Sequence, residues 1–450
     1  MFFFKRKHPK PTIVPREEHT ISRKQIDPDA LKVLYRLADR NHEAYLVGGS
    51  VRDLLLGRTP KDFDVGTDAR PNEIRREFRN CFLVGRRFRL AHIVFGKKVI
   101  ETATFRKAPE ATDVVDEHGL YQSEDNTFGT PQEDALRRDF TVNGLFYDIR
   151  TFAIIDYVGG LKDLKARLIR SIGDPFIRFQ EDPVRMMRAV RFAAKLDFEI
   201  SANDIKAIRR CAPTLANASV SRLCEEIQRL CVHGATERSI RLAYEYGLLA
   251  VLLPELAAWI SASGANANAL WRSLHALDAL AGEVEASPAL AFAALYWPMT
   301  SSFIAQGKPA RRGNERFLRR QAAEKALGPA IRQYRLPRAL WMTAADILEL
   351  ATRFAQPPRE DSARDLRFLN HVLFPLCLVG AKILSAQGDL PADHFDAWAQ
   401  AYQRLGPPAR VEQGEAVPER PNPHRRRMRR RPRRRPAGQA AAQGPAAPTA

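Results

Sequence analysis

The apolar residues of this chain keep two rhythms, and the change from one to the other limits the folds open to it. From about Pro28 to residue 160, short β-type runs alternate with helical stretches. Leu31, Val33, Leu34 and Leu37 recur at helical spacing. EAYLVGG reads as a strand ending in two glycines, and KDFDVGT, LAHIVFG, KKVIETATF, FTVNGLFYDI and AIIDYVGG read as further strands. SVRDLLLG follows the glycines with Ser50 as a helix N-cap and Gly57 as a stop. After Leu161 the helical period takes over, and no strand is expected from about 200 to 405. The pattern predicts an α/β or α+β domain over 25–160, the α+β form being the one adopted, then a helical connection over 161–220 and an all-helical body over 221–405. Residues 1–24 read as a flexible basic arm and 107–135 as a loop. Residues 406–450, rich in Pro, Arg and Ala, cannot bury enough apolar surface to fold alone and read as a disordered tail.

Charge narrows the partners. Seventy-one Lys+Arg face fifty-two Asp+Glu, a net charge of +19. Nine arginines crowd into Arg425–Arg435, yet removing them still leaves +10. A polyanion is the natural partner of such an excess. A second basic stretch, Lys308 to Gln321, either extends a nucleic-acid track or is a solvated surface. The five cysteines are scattered with no C-x-x-C pair, which argues against a disulfide framework or a zinc site. The apolar start MFFF is too short for a signal peptide, and no apolar run approaches the roughly 18 residues that span a bilayer. A cytoplasmic setting is expected. None of the ten histidines has metal-ligand spacing.

The chemistry is concentrated in LVGGSVRDLLLGRTPKDFDV, Leu46 to Val65. Asp62 and Asp64 stand two apart in a strand-like segment, so both side chains face one way. Two such carboxylates repel unless a cation sits between them, and Mg²⁺ takes one or two carboxylates plus phosphate oxygens and water. Taken alone, the pair is more often a solvated acidic strand end. Upstream, Gly48 and Gly49 let backbone approach a ligand, and Arg52 in the following helical turn can clamp a phosphate.

These residues resemble the signature of class II nucleotidyltransferases, the group of bacterial poly(A) polymerases and tRNA CCA-adding enzymes within the DNA-polymerase-β-like superfamily. Three more blocks match in order over roughly residues 26–250: VIETATFR with Glu101, RRDFTVNGL from Arg137 to Leu145, and EDPVRMMRAVRF from Glu181 to Phe192. The resemblance implies a catalytic head, a nucleotide-selecting neck and an RNA-binding body. It makes Asp62 and Asp64 ligands of two Mg²⁺ ions, with Glu101 completing that cluster or hydrogen-bonding to it. Asp139 is a functional acid that either orients Arg138 or contacts the sugar. Arg138 meets phosphate, and Asn143 contacts ribose or fixes its loop. Asp182, Arg185 and Arg188 present an acceptor and donors to a base edge and to phosphate.

The resemblance leans toward the poly(A) polymerase branch. VGRRFRLAHIVFG, Val84 to Gly96, is close to that branch, and so is the arginine-dense C-terminus; no His-Asp dipeptide of a fused phosphohydrolase occurs. The implied substrates are ATP and RNA 3′ ends of low sequence specificity, with RNA-decay machinery as a protein partner. The alternatives are a CCA-adding enzyme and a non-catalytic RNA-binding protein on the same scaffold.

Overall fold

The computed structural model describes residues 10–85, 89–107, 128–231, 234–282, 287–306, 315–359 and 361–405. The Arg425–Arg435 run, the tip of the 107–135 loop, Arg86, Arg87 and the first part of the Lys308–Gln321 stretch lie outside them. The first half runs β1 (Thr12–Val14), α1 (Pro28–Asp39), β2 (Ala44–Val47), α2 (Gly49–Leu55), β3 (Asp64–Thr67), α3 (Pro71–Glu77), β4 (Cys81–Val84), β5 (Leu90–Phe95) and β6 (Lys98–Thr104). It continues with α4 (Pro131–Arg137), β7 (Leu145–Asp148), β8 (Ile154–Asp156), α5 (Gly160–Lys165), β9 (Leu168–Ile169), α6 (Pro175–Glu181), α7 (Val184–Leu196) and β10 (Glu199–Ile200). Helices follow: α8 (Ala202–Cys211), α9 (Val220–Leu230), α10 (Thr236–Glu245), α11 (Leu248–Leu252), α12 (Pro254–Ala262), α13 (Gly264–Ala279), α14 (Pro288–Gln306), α15 (Glu315–Tyr334), α16 (Arg338–Leu350), α17 (Ala363–Leu369), α18 (Phe374–Ala386) and α19 (Ala392–Leu405). The α+β expectation holds, with one large sheet, a separate two-stranded parallel pair of β9 and β10, and then helices.

Eight strands form that sheet in the order β1-β8-β7-β2-β3-β6-β5-β4. All neighbours are antiparallel except β3 and β6, which run together. Helix α1 forms where Asp27 caps the Asp29 N–H at 2.8 Å, Pro28 pre-sets the first turn, and Ala30, Val33, Leu34 and Leu37 make a buried stripe. That stripe helps fill the core beneath the sheet.

Several expectations need correction. Residues 1–24 are not wholly an arm: Thr12–Val14 pairs with Ile154–Asp156, Ile21 is fully buried, and His19 bonds the Phe152 carbonyl at 2.8 Å. A three-residue strand is too short for alternation to reveal. The 107–135 segment is not all loop, because Thr130 and Glu133 form a reciprocal cap that starts α4 at Pro131. Ser50 is not a cap; helix α2 begins two residues earlier, with Gly48 in the cap position. Divisions at 160 and 220 do not separate cores, since one apolar cluster runs from Ile21 to Ala401 and the chain to Gly406 is one compact unit. Among the described residues no single helix is long and apolar enough to cross a membrane.

Candidate active site

The site begins where β2 ends. Gly48 has φ 72° and ψ −126°, a backbone conformation essentially closed to other residues. A Cβ there would lie 2.8 Å from Arg138 Nη1 and 3.6 Å from the Asn143 carbonyl oxygen. The bend is therefore held close to the Arg138–Asn143 segment, and Gly48 N–H donates to the Leu145 carbonyl at 2.9 Å. Ser50 Oγ turns back to donate to the Val47 carbonyl at 3.1 Å. Arg52 is buried. Its Nε donates to Asp53 at 2.8 Å, its Nη2 pairs with the same carboxylate at 2.7 Å, and its Nη1 bonds Asn143 Oδ1. Three of its five N–H donors are thus committed, so Arg52 supports Asn143 and has at most two donors left for a phosphate.

Strand register brings the acid to the bend. Val47 pairs with Asp64 across β2–β3, and Val65 pairs with Thr102 across the parallel β3–β6 pair. One step earlier, Asp64 and Glu101 are lateral neighbours on one face. Asp62 lies just before β3 rather than in it. Asp64 is exposed by area, but the surrounding cleft wall strips much of its hydration. That desolvation, then the charges of Glu101 and Asp62, push its carboxyl up to about 6 against the pull of Arg138. His92 stands 3.8 Å from Glu101 on the far side.

This is a donor set in want of positive charge. Hard carboxylate oxygens gathered this closely suit Mg²⁺. Among the described residues no group of three His, Cys, Asp or Glu side chains converges to hold a metal unaided. Asp62 and Asp64 thus fit an ion whose other ligands are phosphate and water, and Glu101 fits as a charged neighbour better than as a third ligand.

Opposite the acids stands a wall of guanidinium groups. Asp134, buried, grips Arg137 at 2.6 Å and Arg138 at 2.9 Å. Asp139 does not orient Arg138. Its Oδ2 accepts from Arg188 Nε and Nη2 at 2.9 and 2.6 Å, while its Oδ1 accepts from Asn143 Nδ2 at 3.0 Å and the Phe140 N–H at 2.8 Å. Burial acts to raise the Asp139 pKa, but Arg188 and these hydrogen bonds hold it far below the usual carboxylate range. Buried Glu226 binds Arg191 at 3.0 Å and lies 3.6 Å from Arg188. Helix α7 starts after Pro183, one residue later than expected, yet Asp182 Oδ1 still accepts the Val184 N–H at 3.2 Å. Arg222 from α9 closes on both Asp182 oxygens at 2.9 and 2.7 Å. Arg185 is braced by Glu181 and by the Arg178 carbonyl, at 2.8 and 2.9 Å.

One cavity of about 560 Å³ gathers Gly48, Gly49, Arg52, Asp64, Arg138, Asp139, Asn143, Asp182, Arg185 and Arg188. Asp62 and Glu101 are not among its lining residues. Seven arginines and five carboxylates line it, so it favours an anion. Reading the sequence missed Asp134, Arg137, Arg222, Glu226 and Arg229. The α9 trio had a signal: Arg222, Glu226 and Arg229 recur at helical spacing, but a solvated charged face looks the same.

Comparison with known proteins agrees with this geometry. Residues 44–170 match the family model described as the Poly A polymerase head domain. Residues 197–260 match the model described as a probable RNA and SrmB- binding site of polymerase A. Poly(A) polymerase I of Salmonella typhimurium is 39% identical over 437 residues, covering 94% of this chain and 92% of its own. A CCA-adding enzyme of Bacillus pumilus is 38% identical over 214 residues, covering 47% of this chain and 52% of its own. The crystal structure of the Bacillus stearothermophilus CCA-adding enzyme in complex with CTP is similar at TM-score 0.57 and 28% identity, over 84% of this chain and 82% of that one. Sequence likeness to a CCA-adding enzyme spans about half of this chain, whereas likeness to the polymerase spans nearly all of it, and this chain belongs to the poly(A) polymerase I family of nucleotidyltransferases.

Proposed function

We propose that this chain extends RNA 3′ ends without a template, transferring AMP from ATP and releasing pyrophosphate. One observation carries the reading. Asp64, its pKa raised by desolvation and by its acidic neighbours, lies beside the Gly48–Gly49 bend in the lining of a cavity rich in arginine. The triphosphate lies along that bend, with Arg138 and Arg188 facing its charge. Asn143, held by Arg52 and Asp139, steadies the loop beneath the ribose. Asp182 and Arg185 offer an acceptor and donors to the edge of the base, in positions fixed by Arg222 and Glu181. Two Mg²⁺ ions held at Asp62 and Asp64 would lower the pKa of the attacking 3′-hydroxyl and neutralise charge on the leaving pyrophosphate. Asp139 is a positioning residue in this scheme, because its carboxylate is spent on Arg188, Asn143 and backbone.

The RNA substrate, its low sequence selectivity, a cytoplasmic setting and contact with RNA-decay machinery belong to the same proposal. They are supported by the basic charge of the chain and by its kinship. The catalytic head, neck and body of the sequence reading remain useful names for functions within one packed unit.

The deciding experiment supplies purified protein with Mg²⁺, ATP alone and an unstructured RNA primer. A long ladder of added adenylates is expected. Completion of tRNA ends with CTP and ATP, followed by a stop, would assign the CCA reaction instead. No metal-dependent incorporation would leave an RNA-binding scaffold.

A further inference from the structure

A second cationic cavity lies in the helical body, away from the catalytic one. It measures about 480 Å³ and is lined by Arg319 from α15, Arg353 just after α16, Arg364, Arg367 and Phe368 from α17, and His371. Against four guanidinium groups stands one lining carboxylate, Glu349, which is buried and 3.8 Å from Arg320. Asp365 pairs with one of the four, Arg353, at 3.1 Å and accepts the Arg359 N–H at 3.2 Å, so with Glu349 it offsets only part of the cluster's charge. Arg353 is also stacked over the Phe368 ring, 4.2 Å from its centroid, which fixes its fork. Arg364 and Arg367 are exposed, and Arg367 Nε is turned onto the Ala363 carbonyl at 3.0 Å. With Arg353 and Arg367 oriented in this way and Arg364 reaching from the same helix, the open concavity suits phosphate oxygens, which accept two N–H groups at once.

The position gives the cavity a purpose. Helix α9 carries Arg222, Glu226 and Arg229 into the catalytic cavity, and α15 packs against α9. The two cavities are therefore lined from adjoining helices, α9 for the catalytic one and α15 for the second. We propose that the Arg319–Arg353–Arg364–Arg367 cavity is a docking station for the phosphodiester backbone of the RNA primer, several nucleotides upstream of the 3′ end undergoing extension. This rests on the polyadenylation reading. The station binds backbone without reading sequence, and it makes a long primer a better substrate than a short one.

The test is the double variant R364A/R367A, which alters two exposed side chains. Steady-state extension is measured with a primer of a few nucleotides and with a long unstructured primer, across a salt series. The expected result is a several-fold rise in KM for the long primer, with KM for ATP and extension of the short primer unchanged. The salt slope of long-primer binding should flatten by about 1.4, at about 0.7 for each lost phosphate contact. An unchanged long-primer KM and slope overturns the docking station while polyadenylation stands. Equal losses on both primers also overturn it, because the effect then reaches the catalytic cavity. Wild-type protein that adds no adenylate refutes the polymerase reading itself, a result separate from either.

Discussion

Replacing Asp139 by Asn tests whether this acid works through Arg188. The carboxylate accepts two charge-assisted hydrogen bonds from Arg188 on Oδ2 and two more on Oδ1. An Asn can keep its carbonyl toward Phe140 N–H and Asn143, but its NH₂ then faces two guanidinium N–H donors. Bonds to a charged group contribute about 1.5–3 kcal/mol each, and breaking a buried pair costs about 3–5 kcal/mol. Arg188 keeps Glu226 at 3.6 Å, so the lower end applies, about 3 kcal/mol. For the packed unit of about 400 residues, at about 2.1 cal/mol/K of unfolding entropy per residue, this lowers Tm by about 3–4 °C. Thermal unfolding by circular dichroism reads the loss, and ATP titration should show weaker binding because Arg188 is no longer aimed. The sign with pH follows from the depressed pKa. Asp139 stabilises the fold above the unfolded carboxylate pKa, about 3.9, and this contribution fades as pH falls through the folded value. The gap between wild type and variant should be constant at neutral pH and narrow only below about pH 4. A Tm shift under about 2 °C with unchanged ATP affinity would refute the reasoning.

Other outcomes follow from the same geometry. Asp62→Ala or Asp64→Ala should abolish nucleotide addition with the circular dichroism spectrum retained, and near-normal Mg²⁺-dependent activity in either would remove the metal assignment. Gly48→Ala places a Cβ 2.8 Å from Arg138 at φ 72°, costing about 1–3 kcal/mol and raising KM for ATP; an unchanged melting curve and KM would contradict it. In the protein before metal is added, Mg²⁺ affinity should fall as pH drops through about 6, where Asp64 takes up a proton; Glu101→Gln removes a like charge, so calorimetric titration should show that fall moved to lower pH. Deleting Arg425–Arg435 should weaken RNA binding and flatten its salt dependence with ATP affinity unchanged, and an identical salt slope would show the tail to be a bystander.

What could be read in the sequence was local. Gly48, Asp64 and the α7 residues stand in short blocks whose spacing carries geometry, so the bend, the acid and the helix face were all foreseen. The pairings that set those residues were not. Arg222 reaches Asp182 across forty residues, and Arg191 reaches Glu226 across thirty-five. Nothing in either segment names its partner, because an Arg on a polar helix face reads as solvated until another helix packs on it. The error over Asp139 has the same origin: adjacency in the chain suggested Arg138, whereas the fold gives Arg138 to Asp134 one helical turn away and Asp139 to α7. The Ser50 error came from capping preference, which a glycine at positive φ overrode by starting the helix sooner.

The short β1 segment bears on how this protein is handled at the bench. It covers the backbone amides and carbonyls along the outer rim of β8, which would otherwise offer themselves to any extended chain. A truncation that begins after Val14, made in the belief that only a loose leader is being trimmed, would bare that rim. Its first symptom should be self-association through strand addition, visible by light scattering, before any change at the distant cluster of acids.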